Sequence, residues 1–257
     1  MSASTPMPTC PLELDSWRAH HVGCTVEELD AHRRHAAAII MHVGYGMLEH
    51  TRESQIVIAT AMSIWQRFYM IVPTYSADPA ISALAACHIS LKECEIRMKL
   101  PDMLKHDRLP KHMIYAGKAM PKDPAGTSNA RLEQAVLCRE RAMLHHLGFR
   151  YGLQVQTPFD ALYILFGSKT SRLYNNVEML ECSCNIAIEL CIRPWTLLVN
   201  AETIATAATL LAAKVLQHGL DAQLLALLSN YAAATDIALE HASYVEQVYS
   251  ARLVQAS

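Results

Sequence analysis

The segment Pro79–Lys92, PAISALAACHISLK, returns 122 positions later as Ala201–Lys214, AETIATAATLLAAK. Each copy is rich in alanine, carries apolar residues on nearly every face and ends in one lysine. Such a stretch reads as a helix, because alanine has the best intrinsic helix propensity and no interior proline or glycine interrupts it. A repeat period this long points to two copies of one domain, since solenoid units run to roughly 20–50 residues. A chain of 257 residues is long enough for two domains, each of about 110 residues with its own core.

The surrounding composition agrees with an all-α fold. The chain is 52% hydrophobic and 18% charged, with 9 Gly and only 4 Phe, and its weight in Ala, Leu and Met favours helix over sheet. A net charge of −2 gives no concentrated basic face for nucleic acid. No apolar run reaches the roughly 18–20 uncharged residues of a bilayer span, and Met1 to Thr9 lacks the pattern of a signal peptide. The expectation is a soluble intracellular protein without a membrane or nucleic-acid partner. Its eight cysteines, Cys10, Cys24, Cys87, Cys94, Cys138, Cys182, Cys184 and Cys191, mostly fall in apolar helical patterns, so they are expected as buried reduced thiols.

Local signals divide the chain further. Met1 to Cys24 is rich in Pro, Ser and Thr and is expected to be a mobile arm or an extended segment that docks on something, with Trp17 as its only large anchor. Thr25-Val-Glu-Glu28 matches a capping box and opens a helix to about His50, which Gly44 and Gly46 are expected to weaken or bend. A strongly apolar helix spans Gln55 to Val72, and Asp78-Pro79 supplies a cap and a first-turn proline for the first repeat copy. From Lys99 to Asn129 prolines and glycine leave one short helix in a long connection. Helix resumes over Ala130 to Gly148, and Thr157-Pro158 opens the second half. There, helices are expected over Phe159–Phe166, Tyr174–Cys191, Ala201–Gln217, Gln223–Tyr231 and onward to about Ala256, with Asn200 and Asp221 as caps and Pro194 as a break.

Three stretches carry a family resemblance: Gln55–Met70 with Arg67-Phe68-Tyr69 at its end, Ala83–Ile96 with Lys92 and Glu95, and Arg139–Arg150 with Glu140 seven residues before Leu147 of Leu147-Gly148-Phe149. Together they resemble a cyclin box, most closely that of the transcription and RNA-processing cyclins of the L, K, T and C groups. Ala201–His218 resembles the second box, so the likeness runs from about Ala36 to Ser250 with both halves in order. The chain departs from the family in Ile89-Ser90-Leu91 before Lys92, in Cys94 before Glu95, and in Arg97 where a proline often follows.

The resemblance implies two tandem five-helix cyclin boxes: an arm over 1–24, a first box with its leading helix over 25–152, and a second box over 153–257. It implies a non-catalytic subunit that forms a heterodimer with a cyclin-dependent kinase in the nucleus and activates it. Lys92, Glu95 and Glu140 are then the kinase-binding charges. Without the resemblance, Lys92 reads first as a solvated lysine at a helix C-terminus, Glu140 as a surface charge between Arg139 and Arg141, and Glu95 as a partner of Lys92 or Lys99. A cell-cycle cyclin and a TFIIB-like paired-fold transcription factor are the alternatives. The first would carry Met-Arg-Ala-Ile-Leu where this chain has Ser54–Ile64, and the second a zinc ribbon and a basic face.

No catalytic constellation stands out. His32-x-x-His35 supplies two ligands at most, Cys182-x-Cys184 has the wrong spacing for a zinc knuckle, and Gly44-Tyr-Gly46 lacks the rest of a phosphate loop. Neither metal nor cofactor is expected. Between Lys92 and Lys122 eight Lys or Arg face four acids, which reads first as a solvated basic face and second as a surface for an acidic partner.

Overall fold

In a computed structural model, the structure describes residues 11–22, 24–72, 78–105, 127–148, 157–169, 173–219 and 231–256. Among these residues there are eleven helices and no strand, so the protein is all-α. In chain order they are α1 (Pro11–Val22), α2 (Val26–Leu48), α3 (Arg52–Ile71), α4 (Pro79–Glu93), α5 (Leu100–Met103), α6 (Thr127–His146), α7 (Pro158–Gly167), α8 (Val177–Ile192), α9 (Trp195–Leu198), α10 (Ala201–Val215) and α11 (Tyr231–Ala256). The chain forms two compact units: Met1–Val155 together with Cys191–Leu198, and Gln156–Leu190 together with Val199–Ser257.

The first repeat copy is α4, the central helix of the first unit. It packs against α2, α3 and α6, and Ala80 and Ser82–Leu91 are all buried. A helix covered on every side must be apolar all round, and its alanines let three neighbours approach closely. The few polar side chains on it find partners. Ser90 donates its hydroxyl to the Val57 carbonyl at 2.8 Å. Ser82 accepts from the Tyr69 hydroxyl at 3.4 Å.

The start signals act as read. Thr25 and Glu28 close a reciprocal capping box on α2, and Asp78 accepts from the amides of Ala80 and Ile81 ahead of Pro79. The helix after α2 begins earlier than its apolar pattern suggests, because Thr51 caps it by accepting from the Ser54 amide at 3.2 Å. Gly44 and Gly46 do not interrupt α2. Gly44 serves packing instead: a Cβ there would lie 2.5 Å from Cγ1 of buried Ile58 on α3.

The N-terminal stretch needs correction. It docks, but as a helix rather than an extended segment: α1 packs on α2. Asp15 and Arg33 form a buried ion pair at 2.5 Å, and Arg33 also reaches Asp30 at 3.3 Å. Arg18 is buried, donates to the Val72 carbonyl at 3.1 Å and lies over the Tyr69 ring. Burial pulls its guanidinium down to about 10, against the smaller opposing influence of Cys24, Tyr69 and Asp15. The Trp17 side chain lies outside what the structure describes.

A distant segment completes this unit. Gln66 on α3 is buried, and its Nε2 donates to the carbonyls of Cys191, Ile192 and Arg193 at 2.8, 2.9 and 3.1 Å. Its Oε1 accepts from the Thr196 hydroxyl at 2.8 Å. One side chain thereby satisfies carbonyls that every helix C-terminus leaves without an intrahelical partner, and it holds α9 against α3.

The second unit is built around α10, the second repeat copy, which packs against α7 and α11. Thr203–Thr209 and Leu211–Ala213 are buried in it, alongside Phe159, Leu162 and Phe166 of α7 and Ile237 of α11. Asn200 caps α10 by accepting from the Thr203 amide at 2.9 Å. Helix α8 starts at Val177 with Asn176 accepting from the Met179 amide, so Tyr174 and Asn175 precede it. Asp221 and residues 223–230, most of the helix expected over Gln223–Tyr231, lie outside the described residues, as does most of the basic connection.

Three of the cysteines expected to be buried are so: Cys87, Cys184 and Cys191. Cys24, Cys94 and Cys182 are half-buried, Cys138 is exposed, and Cys10 lies outside the described residues. Burial pushes the thiols of Cys184 and Cys191 up to about 12, which keeps them protonated and poorly nucleophilic.

Candidate functional site

The repeat copies share their ends as well as their bodies. At the end of α4 the Glu95 amide bonds the Lys92 carbonyl at 3.1 Å and the Ile96 amide bonds the Leu91 carbonyl at 2.9 Å. At the end of α10 the Gln217 amide bonds the Lys214 carbonyl at 3.3 Å and the His218 amide bonds the Ala213 carbonyl at 2.8 Å. Both are Schellman caps, 122 positions apart residue for residue. Glu95 and Gln217 occupy the left-handed position, with φ of 59° and 52°.

The side chains at the two ends differ. Lys92 Nζ donates to Glu140 Oε1 at 2.6 Å, bringing together two of the three charges singled out in the sequence. Glu140 is no solvated surface charge, for it is only 7% exposed. Its second oxygen, Oε2, lies 2.6 Å from Nδ1 of His88, one turn before Lys92 on α4. Burial pushes the Glu140 carboxyl up, but the hydrogen bonds and charges of His88 and Lys92 together outweigh that, and it sits below its ordinary value. The Lys92 side chain remains 54% exposed, so its ammonium presents its remaining donors to solvent.

Glu95 stands apart from this cluster. It is exposed at the left-handed cap position and pairs with neither Lys92 nor Lys99. It lines an open cleft with Lys92, Ile96, Arg97 and Met98. The Arg67-Phe68-Tyr69 motif supports the same region from α3: Phe68 is buried with Arg139, the neighbour of Glu140, over its ring at 5.8 Å, and Tyr69 stacks on Trp65 at 4.2 Å. Burial pushes the Tyr69 phenol up to about 12.

His88 is a site residue absent from the candidates that the sequence offers. A partial signal exists, since His88 and Lys92 stand four apart and share one helix face. Its carboxylate partner lies 52 positions away, beyond the reach of any local pattern. Among the described residues no group of three or more His, Cys, Asp or Glu is placed to hold a metal ion. No described helix is long and apolar enough to cross a membrane. No family model matches the chain, and no curated protein matches it.

Proposed function

We propose that this chain is a cyclin: a non-catalytic subunit, built of tandem cyclin boxes, that binds and activates a cyclin-dependent kinase of the transcription or RNA-processing type in the nucleus. The observation that carries this reading is the Lys92–Glu140 pair at the end of the first repeat helix, joined at 2.6 Å. The resemblance assigns these two residues to kinase docking. Their arrangement suits that role, because a lysine on a fully packed helix offers a located ammonium rather than a mobile one. The two units, each centred on one copy of the repeat helix, support the same reading.

The mechanism asks little chemistry of the chain. A rigid helix end that engages the partner's regulatory helix biases the kinase toward the arrangement in which its own Lys–Glu pair and activation loop are ordered. The free donors of Lys92 would take carbonyl or carboxylate acceptors of that partner, and Glu95 adds an exposed charge beside them. The test is purification of the full chain from cells with identification of a bound cyclin-dependent kinase, repeated for Lys92→Glu. The variant is expected to retain at most about a tenth of the kinase, because reversing one charge in a close pair costs more than about 1.4 kcal/mol. Its circular dichroism stays unchanged. A wild-type chain that brings down no kinase would refute the reading.

A further inference from the structure

We propose that His88 is the positioning residue of this site: it fixes the Glu140 carboxylate so that Glu140 in turn holds the Lys92 ammonium in place for a partner's acceptor. The inference deepens the kinase-docking reading and rests on it for the identity of the partner. It rests on geometry for everything else.

A carboxylate held by one half-exposed lysine is free to swivel, and such pairs are weakly maintained because solvent competes for both charges. Glu140 is held differently. Its two oxygens are taken by two side chains of one helix, His88 Nδ1 on Oε2 and Lys92 Nζ on Oε1, each at 2.6 Å. Two bonds from a single rigid element define both the position and the plane of the carboxylate. His88 is 6% exposed and stands on a helix packed against three others, so water cannot readily replace it. The chain is thus His88 to Glu140 to Lys92, from the buried end to the exposed one.

The second repeat copy supplies an internal contrast. Leu210 stands where His88 stands in the first copy. Lys214 is exposed and forms no ion pair among the described residues. The two helix ends share backbone geometry and lysine, and the copy with the histidine is the one whose lysine is held. A role for His88 in folding alone would not require its bond to fall on the second oxygen of the lysine's own partner.

The experiment reads Lys92 directly on the full chain. A brief pulse of acetic anhydride, followed by peptide mass spectrometry, gives the acylation of Lys92 relative to Lys214, which serves as the internal reference. An amine held against a carboxylate at 2.6 Å acylates slowly because the carboxylate occupies one side of its nitrogen. His88→Leu is expected to raise the Lys92 to Lys214 ratio about two- to fivefold, the range that loss of a partly exposed ion pair allows. Glu140→Gln should raise it as much. His88→Asn, whose amide nitrogen can occupy the place of Nδ1, should restore the wild-type ratio. A ratio unchanged in His88→Leu but raised in Glu140→Gln overturns the proposal. If His88→Leu does not fold, ring-nitrogen NMR of the wild-type chain decides: a protonated Nδ1 supports the proposal, and a neutral ring protonated at Nε2 alone overturns it. Because both readings use the chain by itself, failure to find a kinase would remove the docking reading and leave the result for His88 distinct.

Discussion

Replacing Gln66 by leucine removes four polar contacts at nearly constant volume, and it tests whether one buried amide holds a segment more than a hundred residues away. The Nε2 donor serves the carbonyls of Cys191, Ile192 and Arg193, and the Oε1 acceptor serves Thr196. The bonds to Cys191 and Arg193 are buried, while that to Ile192 is only partly so. A buried acceptor left without a donor costs about 1–3 kcal/mol. Two such carbonyls give a loss of about 2–6 kcal/mol in the first unit, with water free to serve Ile192 and Thr196. Urea denaturation should show this as a lower midpoint, and hydrogen exchange should accelerate in Cys191–Leu198. Gln66→Glu sharpens the test, because an ionised carboxylate cannot donate and repels the same carbonyls, whereas its protonated form regains one donor. That variant should therefore be the least stable at pH 7 and should recover relative to Gln66→Leu as the pH is lowered. A midpoint within about 0.5 kcal/mol of wild type for Gln66→Leu, together with no pH dependence of Gln66→Glu against it, would refute the role assigned to this side chain.

Two further outcomes follow from the packing and the charges. The Glu140 carboxyl lies below its ordinary value of 4.5 in the folded chain, so its contribution is present above that pH and is lost as the pH falls through the lower folded value. The stability difference between wild type and Glu140→Gln, about 1–3 kcal/mol at pH 7 for a buried charged acceptor with one half-exposed partner, should shrink toward zero in acid, and a difference constant with pH would contradict the assignment. At Gly44 an added Cβ meets Ile58 Cγ1 at 2.5 Å and Cδ1 at 2.9 Å. Overpacking of about 1–3 kcal/mol then outweighs a helix-propensity gain of about 1 kcal/mol, so Gly44→Ala should destabilise by up to about 2 kcal/mol. In combination with Ile58→Val, which removes Cδ1, it should be less destabilising than the sum of the single changes; a stabilising Gly44→Ala would show that the helices do not approach closely there.

Features carried by neighbouring residues were legible from the chain alone. Thr25 with Glu28, Asp78 with Pro79, and Asn200 each announce a helix start because the cap and the amides it satisfies lie within three residues. The repeat is legible for a related reason: a helix surrounded by others needs small apolar residues on every face, and that demand appears twice in PAISALAACHISLK and AETIATAATLLAAK. What escaped was set by distant partners. Asp15 and Arg18 look like the solvated charges of a mobile arm until Arg33 and the Val72 carbonyl are placed against them. Gln66 looks like one polar residue on an apolar helix, since the carbonyls it serves are 125 and more positions away. Glu140, between two arginines, has the local signature of a surface residue and is buried only because α6 packs on α4. His88, in an apolar run, carried no local sign that a carboxylate would meet it.

The two repeat ends show how one helix ending can carry two different surfaces. Their Schellman caps fall at equivalent positions, so backbone shape at the end of α4 and of α10 offers a partner little to choose between. Lysine alone offers little more, because both ends have one. The difference is whether the ammonium has a fixed place. Lys214 keeps the rotamer freedom of a long exposed side chain, and any partner binding it must bear the entropy of ordering it, about 1.5–2 kcal/mol. At Lys92 much of that ordering is already achieved within the chain, through a carboxylate that His88 holds from behind. A factor of roughly ten in affinity between two otherwise similar helix ends follows from that ordering alone, without a single additional contact to the partner. Discrimination between the repeats therefore originates in the groups that hold the first lysine, Glu140 and His88, rather than at the lysines that a partner would touch.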